Sequence, residues 1–274
     1  MIRLLLLLLS LGIVKIANTQ SISTQMGARG LGMGNASYGI AYEWGLFNNI
    51  ASTGLLNETS AAAAYQVNSL LPNANRMAMV INCPLKLGVL AAGAFRFGDD
   101  LYNEQLISAG FANTFGITTI GLKTNFIQYQ AQGFGTHQAI SFDLGGLTRL
   151  TEVITISAGI SNLIQSKIRV EGKKEILPTR LTAGLAFRLS ENVIATTELE
   201  KEISYSTQWR TGLEYNLNKK FFARTGFNLS PTSGFFGLGA HKKLLQADYA
   251  IQLNAITGAS HQASVTYKFN RKRV

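Results

Sequence analysis

Side chains able to carry acid–base or nucleophilic chemistry are few in this sequence and stand far apart. Histidine occurs only as His137, His241 and His261, and Cys83 is the single cysteine, so an internal disulfide framework is excluded. No serine lies in a Gly-x-Ser-x-Gly elbow, and no His, Cys or acidic residues have the spacing of a metal site. We therefore expect no catalytic residue, no metal ion, no cofactor and no enzymatic activity.

Charged side chains form a second candidate set, because they recur at alternate positions in the C-terminal half. They share one face of each predicted strand and are Arg180, Arg188, Glu198, Glu200, Arg210, Glu214, Arg224 and Asp248. Guanidinium and carboxylate groups on neighbouring strands can form strong charge-assisted hydrogen bonds. We expect a charge network that fills the lumen of a closed sheet. A charged constriction that selects a solute is the alternative.

Strands must position these charges, because apolar and polar residues alternate at period two from about residue 59 onward. In 179–189, for example, Leu181 and Leu185 fall on one face and Arg180 and Arg188 on the other. Such segments run for roughly ten residues, which is enough for a tilted strand to cross a bilayer. The apolar face therefore fits lipid, and the polar face fits a lumen.

Fourteen such segments are predicted, and an even count is expected of a bacterial single-chain barrel. They are 59–67, 76–83, 87–97, 104–113, 116–130, 137–149, 153–162, 179–189, 192–201, 205–217, 219–229, 234–241, 245–254 and 261–269. Tight turns and longer loops alternate between them, and short turns belong to the periplasmic rim. The sequence thus predicts an all-β fold, a transmembrane antiparallel β-barrel over 59–269 with both ends in the periplasm.

Residues 1–19 predict a secretory signal peptide. Arg3 supplies the basic start, Leu4–Leu9 the apolar centre, and the residues up to Thr19 a small-residue cleavage site. A signal anchor is the alternative, although Lys15 ends the apolar run too early for it to span a membrane. Export is therefore expected.

Composition supports the same location, the outer membrane of a Gram-negative bacterium. Charged residues make up only 15% of the chain, below the ~25% typical of soluble proteins. The formal net charge is +10, and a basic tail at 270–274 follows the last predicted strand. In an exported protein this charge favours outer-membrane lipid and lipopolysaccharide as partners and argues against nucleic acid.

Residues 20–58 do not alternate and are rich in glycine. The run GARGLGMGNAS occupies 27–37. A nucleotide-binding loop is disfavoured, because no buried strand precedes the glycines and no helix–strand unit follows them. Glycine permits close approach between backbones. We therefore expect 20–58 to form a plug or hatch that lies against the inner barrel wall.

The same segment resembles the opening of the PorV/PorQ-like outer-membrane proteins of Bacteroidetes, which are akin to FadL-type transporters. The resemblance covers the run at 27–37 and the run WGLFNN at 44–49, and the run at 158–163 resembles that family's mid-barrel strand end. The residues that carry the plug motif are Gly27, Arg29, Gly30, Gly32, Gly34, Asn35, Trp44 and Asn48. The resemblance implies a fourteen-stranded barrel with its N-terminal segment inside the lumen.

The resemblance also implies two functions, since members of this family either take part in large secretion machines or pass hydrophobic molecules. We expect a non-enzymatic component or partner of an outer-membrane protein complex, such as a type IX secretion-type machine, with other outer-membrane or secreted proteins as partners. The alternative is a FadL-like transporter of hydrophobic small molecules with 20–58 as the hatch. That alternative predicts an apolar pocket near Leu46, Phe47 and Phe222.

Overall fold

The computed structural model describes residues 23–170, 173–203 and 205–269. The predicted signal peptide, residues 20–22 of the predicted hatch and the basic tail at 270–274 lie outside these residues.

Fourteen strands close into one antiparallel barrel, which confirms the predicted fold class. The strands in chain order are β1 (Ser60–Asn68), β2 (Arg76–Leu85), β3 (Gly88–Gly98), β4 (Tyr102–Phe115), β5 (Thr118–Ala131), β6 (Gly135–Arg149), β7 (Ile154–Ser161), β8 (Lys167–Val170), β9 (Lys173–Ile176), β10 (Arg180–Arg188), β11 (Val193–Glu202), β12 (Gln208–Asn216), β13 (Phe221–Leu229), β14 (Ser233–Lys242), β15 (Leu245–Asn254) and β16 (Gly258–Lys268). Each barrel strand pairs with its neighbours, β7 pairs with β10, and β1 pairs with β16 to close the sheet. Strands β8 and β9 form a separate hairpin.

The hairpin of β8 and β9 was not predicted, since 163–178 was expected to be a loop. Each of its strands is only four residues long, too short for period-two alternation to distinguish a strand from a loop. The chain leading to the hairpin lies beside the middle of β6, where the backbone N–H of Leu163 donates to the carbonyl of Phe142 at 2.8 Å. The hairpin thus follows directly from the short strand β7.

The outer face of the barrel is apolar, and the inner face is polar. Leu185, Trp209, Phe227 and Val265 are exposed on the outside. A closed sheet satisfies its backbone hydrogen bonds internally, so an apolar exterior can face hydrocarbon. The protein is an outer-membrane β-barrel. No helix in the described part of the chain is long and apolar enough to span a membrane.

The two rims of the barrel differ in the length of their connections. At the rim where β1 begins and β16 ends, the turns are 86–87, 116–117, 150–153, 189–192, 217–220 and 243–244. At the opposite rim the connections are 69–75, 99–101, 132–134, 162–179, 203–207, 230–232 and 255–257. The rim with the shorter turns is the periplasmic one, because outer-membrane barrels keep their longer loops outside.

Residues 23–58, here called the hatch, fold inside the lumen and supply the core of the protein. The hatch contains two short helices, α1 (Ala28–Gly32) and α2 (Ile50–Thr53). Asn49 caps α2, since its Oδ1 accepts from the backbone N–H of Ala51 at 3.1 Å. The largest core cluster joins the hatch to the wall of β1–β4 and consists of Met26, Tyr42, Trp44, Leu46, Phe47, Ile50, Ala62, Ala64, Ala78, Val80, Ala91, Phe95 and Leu106.

Candidate functional site

Glycines of the barrel wall make room for the hatch. They face inward on β3–β7, β10 and β12–β14, and a Cβ on any of them would press on a hatch atom: Gly93, Gly110, Gly121, Gly145, Gly159, Gly184, Gly212, Gly226 and Gly237. Hatch side chains come as close on β6 and β7, but the hatch backbone comes closest on β12 and β13, where a Cβ on Gly226 would overlap the backbone of Gly34 and one on Gly212 would overlap Met33. The hatch backbone therefore lies directly on the wall.

The plug-motif glycines meet this wall from the hatch side. A Cβ on Gly32 would lie 3.0 Å from Cα of Gly237. Gly27 and Gly34 have φ values of 104° and 67°, which favour glycine, and Asn35 adopts φ 61°. Gly30 is fixed by its backbone N–H, which donates to the hydroxyl of Tyr42 at 2.8 Å.

Trp44 and Asn48, the other two plug-motif residues without charge, stabilise the hatch internally. Trp44 is buried in the core cluster, and its ring centroid lies 6.3 Å from that of Phe47. Nδ2 of Asn48 donates to the carbonyl oxygens of Met26 at 2.9 Å and Trp44 at 3.1 Å. Asn48 therefore ties the start of the hatch to its middle.

Arg29, the charged residue of the plug motif, connects the hatch to a buried chain of charges. Its Nε and Nη2 donate to the two carboxylate oxygens of Glu214 at 2.8 and 2.7 Å. Glu214 also accepts from Nε of Arg224 at 2.6 Å, and Nη1 of Arg224 donates to Asp248 at 2.7 Å. Bidentate pairing of this kind is strong and directional. One carboxylate thus joins hatch and wall.

A second charge cluster surrounds Arg210. Its guanidinium donates to Glu198 at 3.0 Å and to Glu200 at 2.9 Å, and also to the hatch side chain of Gln25 at 3.1 Å. Glu198 in turn accepts from the backbone N–H of Tyr38 at 3.2 Å. This cluster holds a second stretch of the hatch.

Arg180 and Arg188 lie at opposite ends of β10 and have different surroundings. Arg180 pairs with Glu202 at 3.0 Å near the extracellular rim. The expectation that Arg188 joins the network is wrong: Arg188 has the inward register, but it lies at the periplasmic mouth, where it is exposed and forms no ion pair with any described residue. The last inward position of a strand is too near water to be buried.

Sequence reasoning missed several ion-paired residues. Glu202 was assigned to a connection, although β11 extends to it. Lys123 and Asp143 on β5 and β6 pair at 2.8 Å, and Nζ of Lys123 also donates to the hatch carbonyl of Leu46 at 2.9 Å. The inward register of their strands was the available signal. Glu43 of the hatch pairs with Lys268 at 2.9 Å as well.

An extracellular cavity of about 100 Å³ remains between the hatch and the wall. Phe47, Phe95, Leu106 and Ile127 give it an apolar side. Its polar side is lined by Asn125, Ser141, Asp143, Asn162, Arg180 and Glu200. Phe222 was expected near this pocket but lies on β13 beside Arg224. The guanidinium carbon of Arg224 is 5.4 Å from the centroid of the Phe222 ring.

A larger depression of about 700 Å³ opens at the periplasmic mouth. Ile40, Leu147, Ala186 and Ile194 give it an apolar floor, and Arg188 lies at its edge.

The strap, residues 38–41, separates the depression from the extracellular cavity. Tyr38 lines the extracellular cavity, and the next three residues line the depression. Burial raises the pKa of the Tyr38 phenol, so the ring stays neutral at ordinary pH.

No three His, Cys, Asp or Glu side chains in the described residues are placed to hold a metal ion. Fold and site together define a closed outer-membrane barrel with an N-terminal hatch in its lumen.

Solved structures with this architecture are FadL-type channels. The Ralstonia pickettii toluene transporter TbuX is 14% identical, has a TM-score of 0.70, and aligns over 90% of this chain and 99% of its own. The Pseudomonas putida toluene transporter TodX is 14% identical, with a TM-score of 0.67 and coverage of 91% and 99%. A Pseudomonas aeruginosa FadL homologue is 10% identical, with a TM-score of 0.59 and coverage of 91% and 100%. No family model and no curated protein sequence matches the chain. The likeness is one of fold.

Proposed function

We propose that the protein transports small hydrophobic molecules across the outer membrane. The observation that carries this proposal is the pair of cavities on either side of the strap. Each cavity has an apolar side, and consecutive residues of the hatch line them, Tyr38 the extracellular cavity and Gly39, Ile40 and Ala41 the periplasmic depression. A displacement of the strap would join the cavities without removing the rest of the hatch.

Size and lining indicate the class of solute. An apolar cavity of about 150 Å³ is large enough to bind benzene, and the extracellular cavity of about 100 Å³ is of similar order. Phe47 and Phe95 offer aromatic faces, with ring centroids 6.3 Å apart. The apolar side of the cavity can contact a compact aromatic or branched hydrocarbon. The similarity in fold to two toluene transporters supports the same solute class.

Toluene binding provides a direct test, because the chain contains only two tryptophans. In a Trp209→Phe background, the emission of Trp44 reports on the lumen. We expect toluene to change this emission saturably, and Leu106→Phe, which narrows the cavity, to weaken binding at least tenfold. Leu122→Phe adds the same volume to the lipid face, where Leu122 is exposed, and is the matched control.

Uptake of labelled toluene by cells expressing these variants tests transport itself. Uptake should follow binding, with Leu106→Phe slow and Leu122→Phe like the parent. A saturable signal equal in both variants, or none in the parent, would reject the proposal.

A second candidate is a component or partner of an outer-membrane complex, as the PorV/PorQ-like opening at 27–37 suggests. The buried ion pairs and glycine contacts of the hatch favour it, because they suit a lumen that stays filled. Purification in mild detergent tests this role. A stoichiometric outer-membrane or secreted partner would support it, and a lone barrel that binds toluene would exclude it in favour of transport.

A further inference from the structure

Four lysines lie side by side on two neighbouring periplasmic turns. Lys219 and Lys220 belong to the turn between β12 and β13, while Lys242 ends β14 and Lys243 follows it. The turns are adjacent, because the backbone N–H of His241 donates to the carbonyl of Lys220 at 2.7 Å. All four side chains are exposed, and none has an ion-pair partner among the described residues. Together they are called the lysine ridge.

Two of these lysines occupy backbone positions that disfavour them. Lys219 has φ 62° and Lys243 has φ 54°, in the left-handed region where glycine and asparagine are favoured in tight turns. Asn216 and Asn218 already support the first turn, since their Oδ1 atoms accept from the backbone N–H groups of Lys219 at 2.6 Å and Lys220 at 3.2 Å. The turn geometry therefore does not require lysine, and the charge itself is the feature left to explain.

The ridge lies at the level of lipid headgroups. Leu217, Phe221 and Leu245 are exposed on the lipid face within two residues of the lysines. A lysine beside an apolar band extends its ammonium group toward the headgroup layer while its methylene stem stays in contact with apolar surface. The extracellular connections of the same half, 230–232 and 255–257, contain no charged residue. Among the connections of β12–β16, the exposed positive charge therefore lies at the periplasmic rim.

We propose that the lysine ridge binds the anionic headgroups of phospholipids in the periplasmic leaflet. Clustered lysines next to a membrane attract acidic lipid through additive electrostatic contributions. Of the exposed acids of the periplasmic turns, Glu191 lies in the turn next to Lys219 and Lys220, where the backbone N–H of Asn216 donates to the carbonyl of Asn192 at 2.8 Å, and Glu152 lies one turn further away. One neighbouring acid leaves the four lysines with a net positive charge. An acidic protein is a weaker choice, because the ridge adjoins lipid-facing side chains. This inference does not depend on the transport proposal.

Lipid retention measures the proposed binding. The protein is reconstituted in nanodiscs with equal amounts of phosphatidylglycerol and phosphatidylethanolamine, released, and examined by native mass spectrometry. We expect the parent to retain about tenfold more phosphatidylglycerol, and this preference to decrease when the salt concentration rises from about 0.05 to about 0.5 M, because salt screens exposed charges (Debye length about 10 Å at 0.1 M). In the variant Lys219→Asn, Lys220→Gln, Lys242→Gln, Lys243→Asn, we expect less than a twofold preference.

A matched pair of double variants separates the ridge from overall charge. Lys219→Asn with Lys243→Asn removes two ridge charges and places asparagine where the backbone favours it, so the barrel should fold as the parent does. Lys86→Gln with Lys167→Gln removes two exposed charges elsewhere. Only the first pair should reduce the preference for phosphatidylglycerol. The proposal would be overturned if the parent and the variant with all four lysines replaced showed the same preference for phosphatidylglycerol. It would also be overturned if the parent showed no lipid preference but bound a polyglutamate peptide.

Discussion

The hatch is held very differently by the two sides of the lumen. Against β12–β14 its backbone touches wall glycines, and Arg29 shares Glu214 with Arg224 in a fully paired cluster. Against β7 and β10, the strap lies between two cavities. There the strap meets the wall through Tyr38, whose backbone N–H donates to Glu198 at 3.2 Å, and through Gly39, whose absent Cβ would lie 3.2 Å from Ala186.

This difference shows how a filled lumen can still conduct a solute. Contacts between close-packed backbones and between paired buried charges are either intact or lost. They therefore resist small displacements of the hatch. A stretch of backbone that borders cavities has room to shift while most of its surroundings stay in place. We infer that β12–β14 anchor the hatch, whereas the strap is its movable part.

Replacing Glu214 with glutamine should break the anchored side most severely. Arg29 and Arg224 would lose the carboxylate that they share, and loss of one partner from a buried ion pair costs about 3–5 kcal/mol. Hydrogen exchange of hatch amides should accelerate by about a hundredfold to a few thousandfold, since about 1.4 kcal/mol corresponds to a factor of ten. Ion conductance in planar bilayers should rise with it.

Glu191→Gln provides the control, because Glu191 is exposed in a periplasmic turn. Hydrogen exchange of the hatch amides in this variant should match that in the parent. Unchanged exchange in Glu214→Gln as well would mean that the hatch does not depend on this carboxylate.

The second prediction compares two glycines on adjacent strands of the anchored side. A Cβ on Gly226 would overlap the backbone of Gly34, whereas one on Gly234 would meet no atom within 4 Å. Gly226→Ala should therefore lower the free energy of hatch docking by about 2–3 kcal/mol through overpacking. Gly234→Ala should leave hydrogen exchange of the hatch as it was. Equal exchange in the two variants would contradict the close approach.

The strands could be predicted from sequence because alternation is a local signal, as 245–254 shows by matching β15 at both ends. The inward register also placed Glu214, Arg224 and Asp248 on one side of the sheet. Their partner could not be predicted in this way. Arg29 reaches Glu214 only because the hatch folds back into the lumen, a contact between residues 185 positions apart.

The wall glycines were visible in the sequence but their role was not. Gly184, Gly212 and Gly226 fall on inward positions of predicted strands, where alternation alone assigns only a small residue. Their structural role depends on which hatch residue lies opposite, such as Tyr38 beside Gly184 or Met33 beside Gly212. A pocket near Phe47 was predicted for a transporter, and Phe47 does line the extracellular cavity, but the polar side of the cavity could not be predicted, because the cavity is the volume that the hatch leaves unfilled.

The third prediction concerns Lys123, which anchors the hatch at the edge of the extracellular cavity. Lys123→Met would remove the hydrogen bond to the carbonyl of Leu46 and the ion pair with Asp143. Asp143 would still accept a hydrogen bond from the backbone N–H of Asn162 at 2.9 Å. Loss of these interactions should cost about 1–2 kcal/mol of unfolding free energy, less than the loss of Glu214, because Asp143 lines the cavity and is partly open to water. Toluene should bind more tightly, because the cavity becomes less polar. Weaker binding would show that the lysine contributes directly to the solute site.

The smallest effect is expected where the hatch is held least, at Gly39. Its φ is outside the left-handed region, and a Cβ would lie 3.2 Å from the Ala186 side chain, so a shift of a few tenths of an ångström accommodates it. Gly39 is buried, so Gly39→Ala should lower the free energy of hatch docking by about 1 kcal/mol, the low end of the cost of overpacking. Toluene uptake should change instead, because the strap moves between the cavities. If Gly39→Ala released the hatch as strongly as Gly226→Ala, the strap would be an anchor too, and a route past it would require the whole hatch to leave.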